Sequence, residues 1–141
     1  MINARQSAGF SLIEVLVSFL VLSIGVLGMA GLQLNALKFN QTAAVRSQAT
    51  FLAYDIAERM RANRVKARSG NYDIALTAGA PSGTSIEATD LQQWRAALTS
   101  QLPDGKGAVA RNASKVIVTV QWDESRVGGQ SSQQFVYETQ L

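Results

Sequence analysis

From Val15 to Leu37 the chain runs for 23 consecutive residues without a charge. No other feature of these 141 residues restricts the fold as strongly. A helix rises about 1.5 Å per residue, so about 20 apolar residues cross a hydrocarbon core of roughly 30 Å. Residues 10–37 hold 19 apolar residues in 28 and one charge, Glu14, whereas residues 38–141 carry 21 of the 23 charged side chains. The pattern predicts a membrane-spanning helix followed by a water-soluble part. Nine residues precede this stretch, with one cation, Arg5, and no acid. A short basic leader stays on the cytoplasmic side, so the remainder is expected outside. The apolar run exceeds the h-region of about 7 to 15 residues of a secretory signal and opens with a carboxylate. Gly28 and Ala30 keep a small-x-small cleavage site, with a mature terminus at Gly31, as the alternative.

The junction reads Arg5-Gln6-Ser7-Ala8-Gly9-Phe10-Ser11-Leu12-Ile13-Glu14. Ser11 and Glu14 have capping-box spacing, in which each side chain satisfies a free amide at a helix start. Glu14 also complements the positive end of the helix. Yet a charge near the centre of a membrane span costs about 2.5 to 3.5 kcal/mol, and an acid near its edge still calls for a partner. Capping and a partnered carboxylate are compatible.

Here the chain resembles the type IV pilins and pseudopilins, whose precursors carry a short basic leader, Gly, an aromatic residue, and Glu at the fifth mature position. The match runs through Gly9, Phe10 and Glu14. The resemblance implies that a prepilin peptidase cuts between Gly9 and Phe10 and N-methylates Phe10. It also implies that Glu14 serves assembly by pairing with a neighbour's terminal amine. Residues 27–33, 52–63 and 118–124 look like PilV-type minor pilins. That likeness implies contacts through the N-terminal helix with other minor pilins and the major pilin. It also implies a single-pass inner-membrane stage with a periplasmic head, then a place in the pilus at the cell surface. Two departures are the absence of the cysteine pair that often staples major pilins, and Gly31 where many have proline.

Composition closes off most other functions. With no Cys and no His there is no thiol nucleophile, disulfide, Ser-His-Asp triad or Cys/His zinc site. Asp123 and Glu124 are adjacent, so on an extended chain they point to opposite sides. At a strand end they are expected to be exposed. No catalytic constellation, metal site or cofactor is expected. The net charge of +3 says little about partners.

Val45, Ala49, Leu52, Ile56 and Met60 share one helical face, and Asp55 with Arg59 forms an i, i+4 pair. The helix is expected to run from Ser11 to about Lys66. Its apolar half covers 10–37 and its amphipathic half 38–68. Gly25, Gly28 and Gly31 either let helices pack closely or soften the helix for partial unwinding on assembly. Arg59, Arg61, Arg64, Lys66 and Arg68 crowd toward its end, where cations suit the dipole. They could instead form a phosphate patch, as in a DNA-uptake pilin, with Tyr72 as the nearest aromatic for base stacking. A nucleic-acid partner is not expected.

Residues 69–88 read as a loop with at most a short strand at Tyr72–Leu76. Thr89-Asp90 offers a cap for a helix over 89–102 carrying Leu91, Trp94, Leu98 and Leu102, with Trp94 in the core. Strands are expected near 108–111, 115–122 and 132–141, with a turn from Asp123 to Gln130. The predicted fold is α+β and pilin-like: a long N-terminal helix, its apolar half transmembrane, with a small antiparallel sheet packed on its C-terminal half. The function expected is that of a minor pilin that helps initiate a type IV pilus and is incorporated into it. The alternatives are a minor pseudopilin of a type II secretion system and a DNA-binding pilin.

Overall fold

A computed structural model of the chain describes residues 9–112 and 115–141. Arg5 and the rest of the leader up to Ala8 lie outside the described residues. The chain divides into two units, residues 1–39 and 40–141.

Helix α1 spans Leu12–Ala62 and is unbroken through Gly25, Gly28 and Gly31. Those glycines have open space where a Cβ would stand. In the first unit the helix side chains are exposed all round, and the helix is long and apolar enough to cross a membrane. Such a surface is unfavourable in water and fits lipid or a packed assembly.

The second unit holds the core. The amphipathic face of α1 buries Ala49, Leu52, Ala53, Ile56, Ala57 and Met60, with Val45 packed at its margin. The helix expected to reach Lys66 is interrupted at Asn63, whose φ of −113° and ψ of 50° leave the helical region. A short helix α2, Arg64–Arg68, follows. Asn63 has a reason to break step: its side-chain amide donates to the Tyr72 hydroxyl at 3.3 Å.

Helix α3 spans Ile86–Gln101, starting earlier than the expected cap at Thr89-Asp90. Ser85 is the cap, its hydroxyl accepting from the Ala88 N–H at 3.4 Å. This frees Asp90 for another contact. Leu91, Trp94 and Leu98 face inward, and the Trp94 indole N–H donates to the Leu52 carbonyl at 2.9 Å. The connection 69–85, shorter than the expected loop 69–88, is tied down by side chains of α3: Arg95 donates to the Ala75 carbonyl at 2.7 Å and Gln92 to the Pro81 carbonyl at 2.8 Å.

Three strands, β1 (Lys106–Asn112), β2 (Lys115–Trp122) and β3 (Gln133–Gln140), form one antiparallel sheet in the order β1-β2-β3. Strand β1 is longer than the four residues expected. Gly107 lies where a Cβ would stand 2.4 Å from the Trp94 ring, so the absent side chain lets strand and helix approach. The alternation of β2 buries Val116, Val118, Val120 and Trp122 against the helices. The short strand looked for at 72–76 is a single bridge, Ile74 to Val109.

Candidate assembly site at the N-terminal junction

Ser11 starts α1. Its carbonyl accepts from the Glu14 N–H at 3.0 Å and the Val15 N–H at 3.2 Å, and its hydroxyl from the Ile13 N–H at 3.3 Å. The reciprocal capping box suggested by the spacing does not form. Ser11 serves Ile13, and among the described residues no donor reaches the Glu14 carboxylate. The Glu14 backbone, by contrast, is doubly engaged, its carbonyl also accepting from the Ser18 hydroxyl at 2.8 Å. Helical spacing puts Ser11, Glu14 and Ser18 on one face, and Glu14 lines a shallow groove with Phe10, Val15, Phe19 and Leu22. Phe10 is 83% exposed.

The basic cluster is dispersed by the fold. Arg59 pairs with Asp55 at 3.0 Å, as its spacing predicted, and also reaches Asp90 at 3.3 Å and Gln93 at 2.8 Å. Arg61 bonds Glu58 and donates to the Thr139 hydroxyl at 2.5 Å, and Arg68 donates to the Leu141 carbonyl at 2.6 Å. Arg64 and Lys66 are exposed. Tyr72 is fully buried, which withdraws the one aromatic that could have stacked a base. Burial, aided by a 2.6 Å hydrogen bond to Asp90, pushes its hydroxyl up to about 12. Three of the five bases therefore brace the head.

Sequence reasoning missed Glu124. Far from being an exposed acid at a strand end, it is 3% exposed. Its carboxylate accepts from Arg46 Nε at 3.0 Å, Arg46 Nη2 at 3.0 Å and Trp122 Nε1 at 2.9 Å. The Arg46 bonds hold this carboxyl below its usual range, against the opposing effect of burial. Gly129 closes over it, where a Cβ would fall 2.6 Å from that of Glu124. A 3-10 turn, Ser125–Val127, and Gly128 at φ 89° complete the loop. The neighbouring Asp123 accepts instead from the Ser125 N–H at 2.7 Å, a bond that lowers its pKa too. Among the described residues no group of three His, Cys, Asp or Glu could hold a metal ion.

Comparison with known families decides the identity. The prokaryotic N-terminal methylation motif matches residues 4–30, spanning the Gly9–Phe10 bond and Glu14. A family described as type IV pilin Tt1218 matches residues 31–94, taking in most of α1 and α3. The chain is a type IV pilin. No curated protein and no solved structure matches it significantly. As a pilin it is a structural subunit, and membership implies contact with other pilins and with the prepilin peptidase that processes the motif. The apolar helix and the motif fit anchoring in the inner membrane before assembly.

Proposed function

We propose that this pilin is a minor subunit of the PilV type, which helps start a type IV pilus and enters the filament after processing. Prepilin peptidase hydrolyses the Gly9–Phe10 bond and methylates the amine released on Phe10. That amine has a reference pKa near 8 and is a cation at neutral pH. The observation that carries the reading is the Glu14 carboxylate: it is the single charge of residues 10–37 and is without a donor among the described residues. In water-poor surroundings an unpaired carboxylate is costly, while a carboxylate paired with an ammonium is strongly held. A neighbouring subunit's methylated terminus supplies that partner, which makes insertion into the filament favourable at this point. The head, periplasmic before assembly, is then carried to the cell surface.

Deleting the gene while scoring surface pili and secreted enzymes tests the role. Pili should fall to a small fraction of the parental number while secretion continues. Intact piliation with failed secretion would overturn the pilus assignment in favour of a secretion pseudopilus.

A further inference from the structure

We propose that the free edge of β3 takes up an extended segment of a different protein chain as a fourth strand. The two edges of the sheet are treated differently. At β1, Ile74 exchanges two backbone hydrogen bonds with Val109, at 2.9 and 3.0 Å, and Asp73 pairs with Arg111 at 3.0 Å beside it. At β3 Arg61 reaches the Thr139 hydroxyl, but among the described residues no backbone bond is made on the outer side of the strand. Its eight residues pair with β2 alone, in unbroken register from Gln133↔Trp122 to Gln140↔Lys115. In an antiparallel ladder every second residue turns its N–H and C=O away from the partner, so about four of them face outward here. Protected edges carry proline, lysine or a bulge. Strand β3 has none of these, and Glu138 is its one charge. Beside the edge lie half-buried Phe135 and Tyr137, the latter in edge-on contact with Tyr54 at 4.5 Å between ring centroids. Val136, on the other face, is 51% exposed.

A second copy fits poorly. Symmetric pairing of two β3 edges needs a two-fold axis perpendicular to the sheet. That axis reverses every direction in the sheet plane, including that of the α1 segment packed on the sheet within the head, so the two α1 segments would run in opposite directions, which suits two chains anchored in one membrane poorly. Head-to-tail pairing would need a β1 edge, which Ile74 occupies. The first exclusion rests on the anchored-pilin reading, whereas amide exchange along β3 reports on the edge whether or not that reading holds. The occupant is therefore an extended segment of another chain. It carries apolar residues beside Phe135 and Tyr137, and cations on the face of Glu138, whose side chain is 54% exposed and only loosely met by Lys115 at 3.6 Å. Backbone pairing would supply affinity and the alternating side chains selectivity.

The test is hydrogen exchange on the full chain in uncharged detergent micelles. The probe is a synthetic peptide of alternating valine and lysine, as long as β3, and the control replaces lysine by glutamate. The lysine peptide at ten times its Kd should slow exchange at alternate amides within 133–140 about tenfold. The glutamate peptide should not, and Glu138→Lys should invert that preference. Glu138→Gln, which conserves size, should abolish the preference while leaving the head folded. Protection elsewhere, or none, would overturn the proposal, as would equal response to both peptides. So would peptide-free dimers that Val136→Lys dissolves, since they would show that copies of this chain occupy the edge.

Discussion

Glu14→Ala should leave leader removal largely intact and lower the amount of this subunit in sheared pili at least about tenfold, the factor that corresponds to ~1.4 kcal/mol. Alanine is a better helix former than glutamate, so α1 itself should not suffer. What is lost is a charge in the apolar stretch, with its attraction for a terminal ammonium where water is scarce. Glu14→Gln keeps the size and polarity and should fail nearly as badly, because a neutral amide cannot neutralise an ammonium. Immunoblots of the membrane fraction, showing equal cleaved protein for variant and parent, would place the defect at incorporation. Normal incorporation of either variant would remove Glu14 from the assembly role.

Arg46→Ala should be the most damaging change on the surface of the head. It strips two of the three hydrogen bonds from the buried Glu124 carboxylate and leaves Trp122 Nε1 as its remaining donor. Breaking a fully buried pair costs about 3–5 kcal/mol. The Arg46 side chain is 56% exposed, so screening makes the expected loss smaller than for a fully buried pair. For a head of this size the result is a fall in Tm of several degrees. Both tryptophans, Trp94 and Trp122, lie in the head core and report its unfolding. The pH dependence has a definite sign. Arg46 keeps the Glu124 carboxyl lower in the folded state than in the unfolded chain. The stabilisation is therefore complete above the ordinary glutamate range near 4.3 and is lost as the pH falls through the lower folded value. The gap between parent and variant should close on acidification. A Tm unchanged by Arg46→Ala at neutral pH would mean that the pair contributes nothing.

The parts of this molecule that rest on periodicity were legible from residues alone. Spacings of three and four placed Ala49, Leu52, Ile56 and Met60 in the core, and the alternation of Val116, Val118 and Val120 gave the central strand. The N-terminal junction was legible because a charge inside an apolar helix is conspicuous by its cost. What escaped depends on contacts distant in sequence. Local capping signals compete between Ser85 and Thr89-Asp90, and the fold uses Ser85 because Asp90 is claimed by Tyr72 and Arg59. The break at Asn63 follows from its bond to Tyr72, which no local propensity announces. Glu124 left a readable trace. Carrying the inward alternation of Val118, Val120 and Trp122 one step further places Glu124 inside, where an acid needs a cation. Arg46, 78 residues away in sequence, supplies it.

The mass of this subunit recovered from sheared surface pili tests the account at its centre. A chain beginning at N-methyl-Phe10 would show cleavage after Gly9, methylation and incorporation in one measurement. A subunit beginning at Gly31, an uncut leader, or its absence from pili while it accumulates in the membrane would contradict the account.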